Sequence, residues 1–418
     1  MQDDRLKLLQ KTRARMAAVD VPQQILGRAL PIGCVAVEIT QRCNLDCTLC
    51  YLSEHSEQVA DVPLEEIYRR LEEAREQYGP YTNVQITGGD PTLRKHDELI
   101  QIVAYAHKLQ LFPALFTNGI AASRKLLEQL TAVGLCDVAF HVDTTQQRAG
   151  FSTEQSLNAI RREYIERARG LDLMVIFNTT VHQDNIEEIP ELVRFFAANA
   201  GAVGLASFQL QTDTGRGAWG ARGTAVTPDG VRGCIEKVAR RSLPWDAIRV
   251  GHPRCHSYLP TMVIGDTIVP VVEDSAMVGA FIADFAGQHA DRREGRATVI
   301  WQYLRALGRH PRWLYRGAKF VATHLWQSCR ALLRSRGRAR KLSFFVQNFM
   351  DAQALDQERL DACSFMAMTA DGPVSMCEHN ASRDDYILKP IKFLRRDGSL
   401  GHYEPLTNQA RDLEPAHS

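Results

Sequence analysis

The chain has 418 residues and a net charge of +1, from 50 Lys and Arg against 49 Asp and Glu. A hydrophobic fraction of 45% and a charged fraction of 24% describe a globular protein, long enough for one large domain and a smaller one. No run of eighteen apolar residues occurs, and MQDDRLKLLQKTRARM carries no apolar signal core, so neither a membrane span nor secretion is expected and the location reads as cytoplasmic.

After an N-terminal helical segment, 1–30, short apolar strands alternate with amphipathic helices. The strands are expected at Cys34–Thr40, Asn83–Thr87, Pro113–Thr117, Asp137–Val142, Leu173–Val181 and Ser207–Gln211. Helical periods lie between them, near Leu64–Gln77, Asp97–Leu109, Ser123–Ala132, Glu154–Ala168, Ile189–Ala200 and Pro228–Arg240. This order predicts an α/β fold with a parallel sheet covered on both faces, and ligands at the carboxyl ends of the strands. Turn chemistry at Gly265-Asp266 and Asp371-Gly372 predicts two later hairpins.

Directly after the first strand stands QRCNLDCTLCY, with Cys43, Cys47 and Cys50 four and three residues apart. Three thiolates on one loop suit an iron–sulfur cluster and leave one iron of a [4Fe–4S] unit open. A zinc site would call for paired C-x2-C units, and none is nearby. Ten cysteines with such a motif imply reducing conditions rather than disulfides. Ile86-Thr87-Gly88-Gly89-Asp90-Pro91 closes the second strand, with glycines that let backbone approach a ligand closely.

The cysteine triplet and the Gly-Gly-Asp-Pro run resemble the radical S-adenosylmethionine (SAM) superfamily, with Asp90 where that family's GGEP motif has glutamate. The resemblance implies a partial (β/α)6 TIM-like barrel over 31–243. It implies a cluster on Cys43, Cys47 and Cys50 that binds SAM and yields a 5′-deoxyadenosyl radical, which abstracts hydrogen from an inert C–H bond. Tyr51, Thr87, Gly88, Gly89 and Asp90 would then flank SAM. The strand-end residues Asn118, His141, Asp143, Asn178 and Gln209 would contact SAM or substrate. A flavodoxin or ferredoxin would supply the electron.

Cys255, in HPRCH, and Cys363 and Cys377, on the arms of the second hairpin, resemble the auxiliary-cluster region of SPASM/Twitch enzymes, over 244–274 and 342–395. They would hold a second [4Fe–4S] cluster, with His256, His379, Cys329, a substrate atom or nothing as fourth ligand. The pattern FMDA…LD.ER…C…DG…C…N, with HPRC, is similar to the C-terminal half of the archaeal tetraether lipid synthase and class D methylase family. Here no cysteine precedes Cys34, so at most one auxiliary cluster fits. Cys34, Cys136 and Cys234 read as core.

Residues 275–341 form a basic amphipathic insertion. Gly295 to Lys341 hold twelve basic residues and no Asp or Glu. Two helical stripes run through it, Ile300–Leu304–Leu307 and Leu314–Val321–Leu325–Leu332, beside Trp301, Trp313 and Trp326. Such helices suit an anionic membrane surface, and hence a peripheral location on the inner face of the membrane. A solvated basic face packed on the barrel is the alternative; no nucleic-acid motif accompanies the charge. A tail, 396–418, follows.

The combined reading is an enzyme that activates an unactivated sp3 C–H bond on a lipid or isoprenoid chain, for C–C bond formation or methylation. Modification of a ribosomally made peptide is the second reading, and a non-catalytic iron–sulfur electron-transfer scaffold the third.

Overall fold

The computed structural model describes residues 33–216, 226–248, 251–285, 296–334, 337–395, 397–406 and 409–412, without the side chains of 296, 324–328, 330, 331, 334 and 409–412. The expected N-terminal helix lies outside them, as do the side chains of Leu325, Trp326, Arg330 and Arg334, residue Arg336, and the last residues of the tail.

Six strands follow the expected order: β1 (Cys34–Thr40), β2 (Asn83–Gly88), β3 (Phe112–Thr117), β4 (Asp137–His141), β5 (Met174–Val181) and β6 (Val203–Leu210). Each expected helix between them is present within a few residues. Ser123 accepts from the Leu126 N–H and Thr227 from the Gly230 N–H, which fixes two helix starts. β6 begins four residues before its expected start, because Gly204 weakens the strand signal. A side chain there would strike Met174.

The later strands join the same sheet. They are β7 (His256–Ile264), β8 (Thr267–Pro270), β9 (Ala339–Gln347), β10 (Phe365–Thr369) and β11 (Gly372–Ser375). The order is β11-β10-β1-β2-β3-β4-β5-β6-β9-β7-β8. β10 lies parallel to β1 and β9 parallel to β6, so the barrel strands become a run of eight parallel strands from β10 to β9. Sequence reading did not find β9, whose mixed run ARKLSFFVQ follows the basic insertion. The sheet curls until its ends meet: the Phe365 ring lies 5.7 Å from Phe345 and 5.1 Å from His256, and Ser364 bonds His256 at 3.2 Å.

The strands alternate rather than run continuously apolar. Val35, Val37 and Ile39 of β1, Val84 and Ile86 of β2, and Leu342, Phe344 and Val346 of β9 pack into the main core under the helices. Ala36 and Glu38, Gln85 and Thr87, and Gln347 face the interior of the curl. A sheet with helices outside and a ligand space inside requires this period of two.

Three helices, Ser275–Phe285, Arg296–Arg309 and Pro311–Arg334, form the basic insertion around Phe285, Ala306 and Trp313. Strands β12 (Ile391–Leu394), β13 (Leu400–Glu404) and β14 (Gln409–Asp412) make a small antiparallel sheet, the last two within the span expected as a tail. Tyr403 donates to the Ala60 carbonyl and ties this sheet to the barrel.

A buried ion pair joins the two halves of the chain. Arg383, in the short helix Arg383–Ile387, pairs with Glu38 on β1 and also reaches Gln41. Burial alone would raise the Glu38 pKa, but Arg383 and His379 together hold it below the ordinary carboxylate range. Its contribution to stability is therefore present at neutral pH and is lost as pH falls through that depressed value. Removing one partner of a buried pair costs about 3–5 kcal/mol. Arg383→Ala should lower stability by that amount in urea titration, and Glu38→Gln should recover part of it in the double variant. A loss under about 1 kcal/mol would show that the pair contributes little.

Candidate functional site

The cysteine loop leaves β1 and turns back over the carboxyl ends of the strands. Its base is seated on the end of β2, where Gly89 N–H donates to Thr40 O at 2.9 Å and Asp90 N–H to Arg42 O at 2.8 Å. Gly88 has φ +124°, and a Cβ there would sit 1.9 Å from the Thr40 oxygen; one on Gly89 would sit 2.0 Å from the Arg42 oxygen. The glycines therefore admit the loop itself, a reason beyond close approach to a ligand. Farther along, Thr48 N–H donates to Thr145 O at 3.0 Å. Gly215, at φ +55°, packs against the Tyr51 carbonyl.

Two aspartates stiffen the rim by the same device. Asp90 is buried and accepts from the Thr92 N–H and hydroxyl, the Thr117 hydroxyl and the Asn118 N–H. Asp143, likewise buried, accepts from the Thr145 N–H and hydroxyl and the Thr180 N–H, and contacts His141 Nε2 at 2.6 Å. Each caps the turn after its own strand and holds the next strand's end. Burial opposes charge on Asp143, but His141 and the donors beside it keep its pKa well below the usual carboxylate range. Neither side chain lines the cavity, but Thr117, Asn118, Thr145 and Thr180, which they hold, do.

Cys43, Cys47 and Cys50 are free, partly exposed and line one cavity. Asn118 donates to the Cys43 sulfur at 3.8 Å, and Arg216 to the Cys50 sulfur at 3.4 Å. Burial pushes the Cys43 and Cys47 thiols up, and the neighbouring thiols add to the rise. Tyr51 donates to the Gly88 carbonyl at 2.5 Å, with Arg383 over its ring at 4.7 Å.

The structure also brings Cys255, Cys363 and Cys377 near one another, from the segments before β7 and β10 and the helix after β11. Burial pushes the Cys377 thiol up to about 12, and Cys363 and Cys255 both add to it. Met350 N–H donates to Cys377 at 3.4 Å and Arg359 Nε to Cys255 at 3.3 Å. His379 turns away to stack on Tyr386 beside Glu38, and Cys329 is exposed on the insertion. His256 Nε2 contacts Ser364. Cys34 and Cys136 are buried, and Cys234 packs partly buried against the core.

The cavity has a volume of about 220 Å³ and opens to solvent. The SAM-loop cysteines and Cys377 open on it, with Thr87, Gly88, Gly89, Asn118, His141, Asn178 and Gln209. Sequence reading missed Glu38, Gln85, Gln347, Arg216 and Arg359. Arg216 lies in TDTGR and Arg359 in LDQERLDAC, both visible as motifs, but neither reveals which thiol it meets. Among the described residues no three His, Cys, Asp or Glu side chains converge on one ion. Separate thiols suit a cluster, in which each iron takes its own thiolate.

Residues 37–196 match the sequence profile of the radical SAM superfamily. A 7,8-dihydro-6-hydroxymethylpterin dimethyltransferase of Methanocaldococcus jannaschii is 29% identical over 43% of this chain and 36% of its own length. A PqqA peptide cyclase of Xanthomonas oryzae pv. oryzae is 32% identical over 38% and 42%. The chain thus spans less than half the length of these relatives. A crystal structure of Streptococcus suis SuiB bound to precursor peptide SuiA aligns with 49% of this chain and 44% of its own, at 18% identity and TM-score 0.39.

Gly89→Ala should unseat the loop, because neither backbone atom in the clash can move without breaking the Gly89 and Asp90 hydrogen bonds. The variant should melt several degrees lower without metal and retain fewer irons after reconstitution than wild type. Unchanged melting and iron content would show that the loop tolerates the contact.

Proposed function

We propose, with residues 37–196 belonging to the radical SAM superfamily, that the protein removes hydrogen from an unactivated sp3 C–H bond of a substrate held between two iron–sulfur clusters. The observation that carries this reading is one cavity lined by Cys43, Cys47, Cys50 and Cys377. The first triad would hold the SAM cluster and the second, Cys255, Cys363 and Cys377, the auxiliary one. Bound there, the first cluster and SAM would supply the radical. The chain's own residues do the placing. Gly88 and Gly89 present backbone to the cavity, Asn118 and Arg216 donate to the loop thiols, and Asp143 fixes the His141 ring. Arg359 and the Met350 N–H do for the second triad what Asn118 and Arg216 do for the first.

The outcome is C–C bond formation or methylation; the dimethyltransferase relative supports methylation. On the substrate, a lipid or isoprenoid chain is favoured by the insertion. Ile300, Trp301 and Leu304 on one helix, and Leu314, Tyr315 and Val321 on the next, are more than half exposed. An amphipathic helix ordinarily turns its apolar stripe inward. Here Leu307 packs against Phe285, Ala306 and Trp313, while Ile300, Leu304, Leu314 and Val321 face out beside Arg305, Arg309, Arg312, Arg316 and Lys319, which suits an anionic membrane. No helix among the described residues is long and apolar enough to cross one. Modification of a peptide is the second reading, favoured by the peptide cyclase relatives.

Wild type should bind about eight irons per chain after reconstitution, and the triple Cys43, Cys47 and Cys50→Ala variant about four. That variant should make no 5′-deoxyadenosine; continued production would sink the assignment. Cys363→Ala with Cys377→Ala should lose the second set of irons and keep SAM cleavage. Wild type should also sediment with anionic vesicles and be released by salt, since surface attraction is screened within about 8 Å at physiological ionic strength. Replacing Arg309, Arg312, Arg316 and Lys319 by Gln should weaken sedimentation at unchanged iron content. Equal sedimentation with neutral vesicles would remove the electrostatic argument.

A further inference from the structure

The cavity floor is built from side-chain amides. Gln85 on β2, Asn178 on β5, Gln209 on β6 and Gln347 on β9 all face it. Their side chains make no hydrogen bond to another described residue, although Asn178 is 3% exposed and Gln347 4%. Their amide groups open on the cavity rather than on protein partners, so a ligand there can bond them. Among the described lining residues Glu38 is the one carboxylate, already paired with Arg383, and there is no Lys or Arg. Gln209 and Gln347 are direct neighbours in the β6–β9 register. Gln347 runs straight into Asn348, which donates to Cys255 O at 2.7 Å, and Met350, which donates to Cys377. The pair therefore stands beside the second triad.

We propose that Gln209 and Gln347 read the substrate, and that the group they read is neutral and amide-like. This rests on the radical chemistry proposed above and, on the substrate, favours a molecule with an amide edge over a lipid or isoprenoid chain. Each glutamine offers a carbonyl acceptor and an NH2 donor. Two side by side match an edge carrying both, such as a peptide bond or the lactam edge of a heterocycle. With no Lys or Arg among the described lining residues, the pair presents neutral donors and acceptors rather than charge. The apolar rim, with Leu45, Leu49, Phe349 and Met350, accepts the hydrocarbon part. A site built to hydrogen-bond its ligand rejects an analogue that lacks the bond. The expected role of Gln209 thus moves from SAM to substrate.

The test uses the reconstituted full chain with SAM bound and anaerobic calorimetry. Three probes are offered: N-acetyl-Leu-Tyr-Leu N-methylamide, 6-methylpterin, and geranylgeraniol, which has no amide edge. One of the first two should bind, and which one separates a peptide source from a heterocyclic one. Gln347→Leu should weaken that binding about threefold to tenfold, and the double variant with Gln209→Leu by more. Iron content and melting temperature establish that the variants are folded. The cluster's spectral response to SAM should titrate at the same concentration in Gln347→Leu as in wild type. Binding of geranylgeraniol alone, no binding by either amide probe, or a matching loss of SAM affinity each overturns the assignment. Such a failure leaves the proposed function standing if wild type still cleaves SAM and holds its irons.

Discussion

The pair between Glu38 and Arg383 is the interaction on which the rest of the molecule depends. Glu38 stands on β1, two residues before the end of the strand that launches the cysteine loop. Arg383 stands just beyond the helix Met376–Ala381, which carries Cys377. Its guanidinium also covers the ring of Tyr51, the residue after Cys50. One buried charge thus registers both thiol groups against the same strand. Two buried charges are costly to hold unless geometry and hydrogen bonds are good. Gln41, Asn380 and His379 complete this neighbourhood. A hydrophobic contact at the same place would fill space but would not fix a direction.

The rim repeats a motif on alternate strands. After β2 and after β4, an aspartate accepts from the threonine two residues on, then reaches the start of the turn after the following strand or that strand's own backbone. The sequences DPT and DTT are unremarkable alone. Their common function emerges only when the strands stand side by side. The glycines of the Gly-Gly-Asp run act similarly at close range, admitting the loop that the aspartate's own N–H then bonds.

Much of this was legible in the chain. The first six strands and helices were fixed by apolar periodicity and by caps such as Ser123 and Thr227, which act locally. The cysteines of both triads could be named because thiols are scarce and their spacing is specific. What lay hidden was long-range. β9 follows a basic helical stretch, and its place between β6 and β7 depends on a partner more than a hundred residues upstream. Asp90 and Asp143 read as cavity residues because they end strands, yet their oxygens are taken by neighbouring donors. Gln85 and Gln347 carry no local signal at all, since an inward glutamine looks like any polar strand residue. The arginines on Cys50 and Cys255 are 166 and 104 residues from their sulfurs.

The join between Phe365, Phe345 and His256 has a mechanical meaning. Everywhere else around the interior, neighbouring strands are laced by backbone hydrogen bonds, and opening any of those lines would expose a row of unpaired donors and acceptors. Across the join, rings touch and a serine meets an imidazole. Rings can slide or rotate apart while both strands keep the ladders on their outer sides. The wall of the chamber therefore has a built-in line of easy parting, and it falls beside Cys255 and Cys363, next to β1.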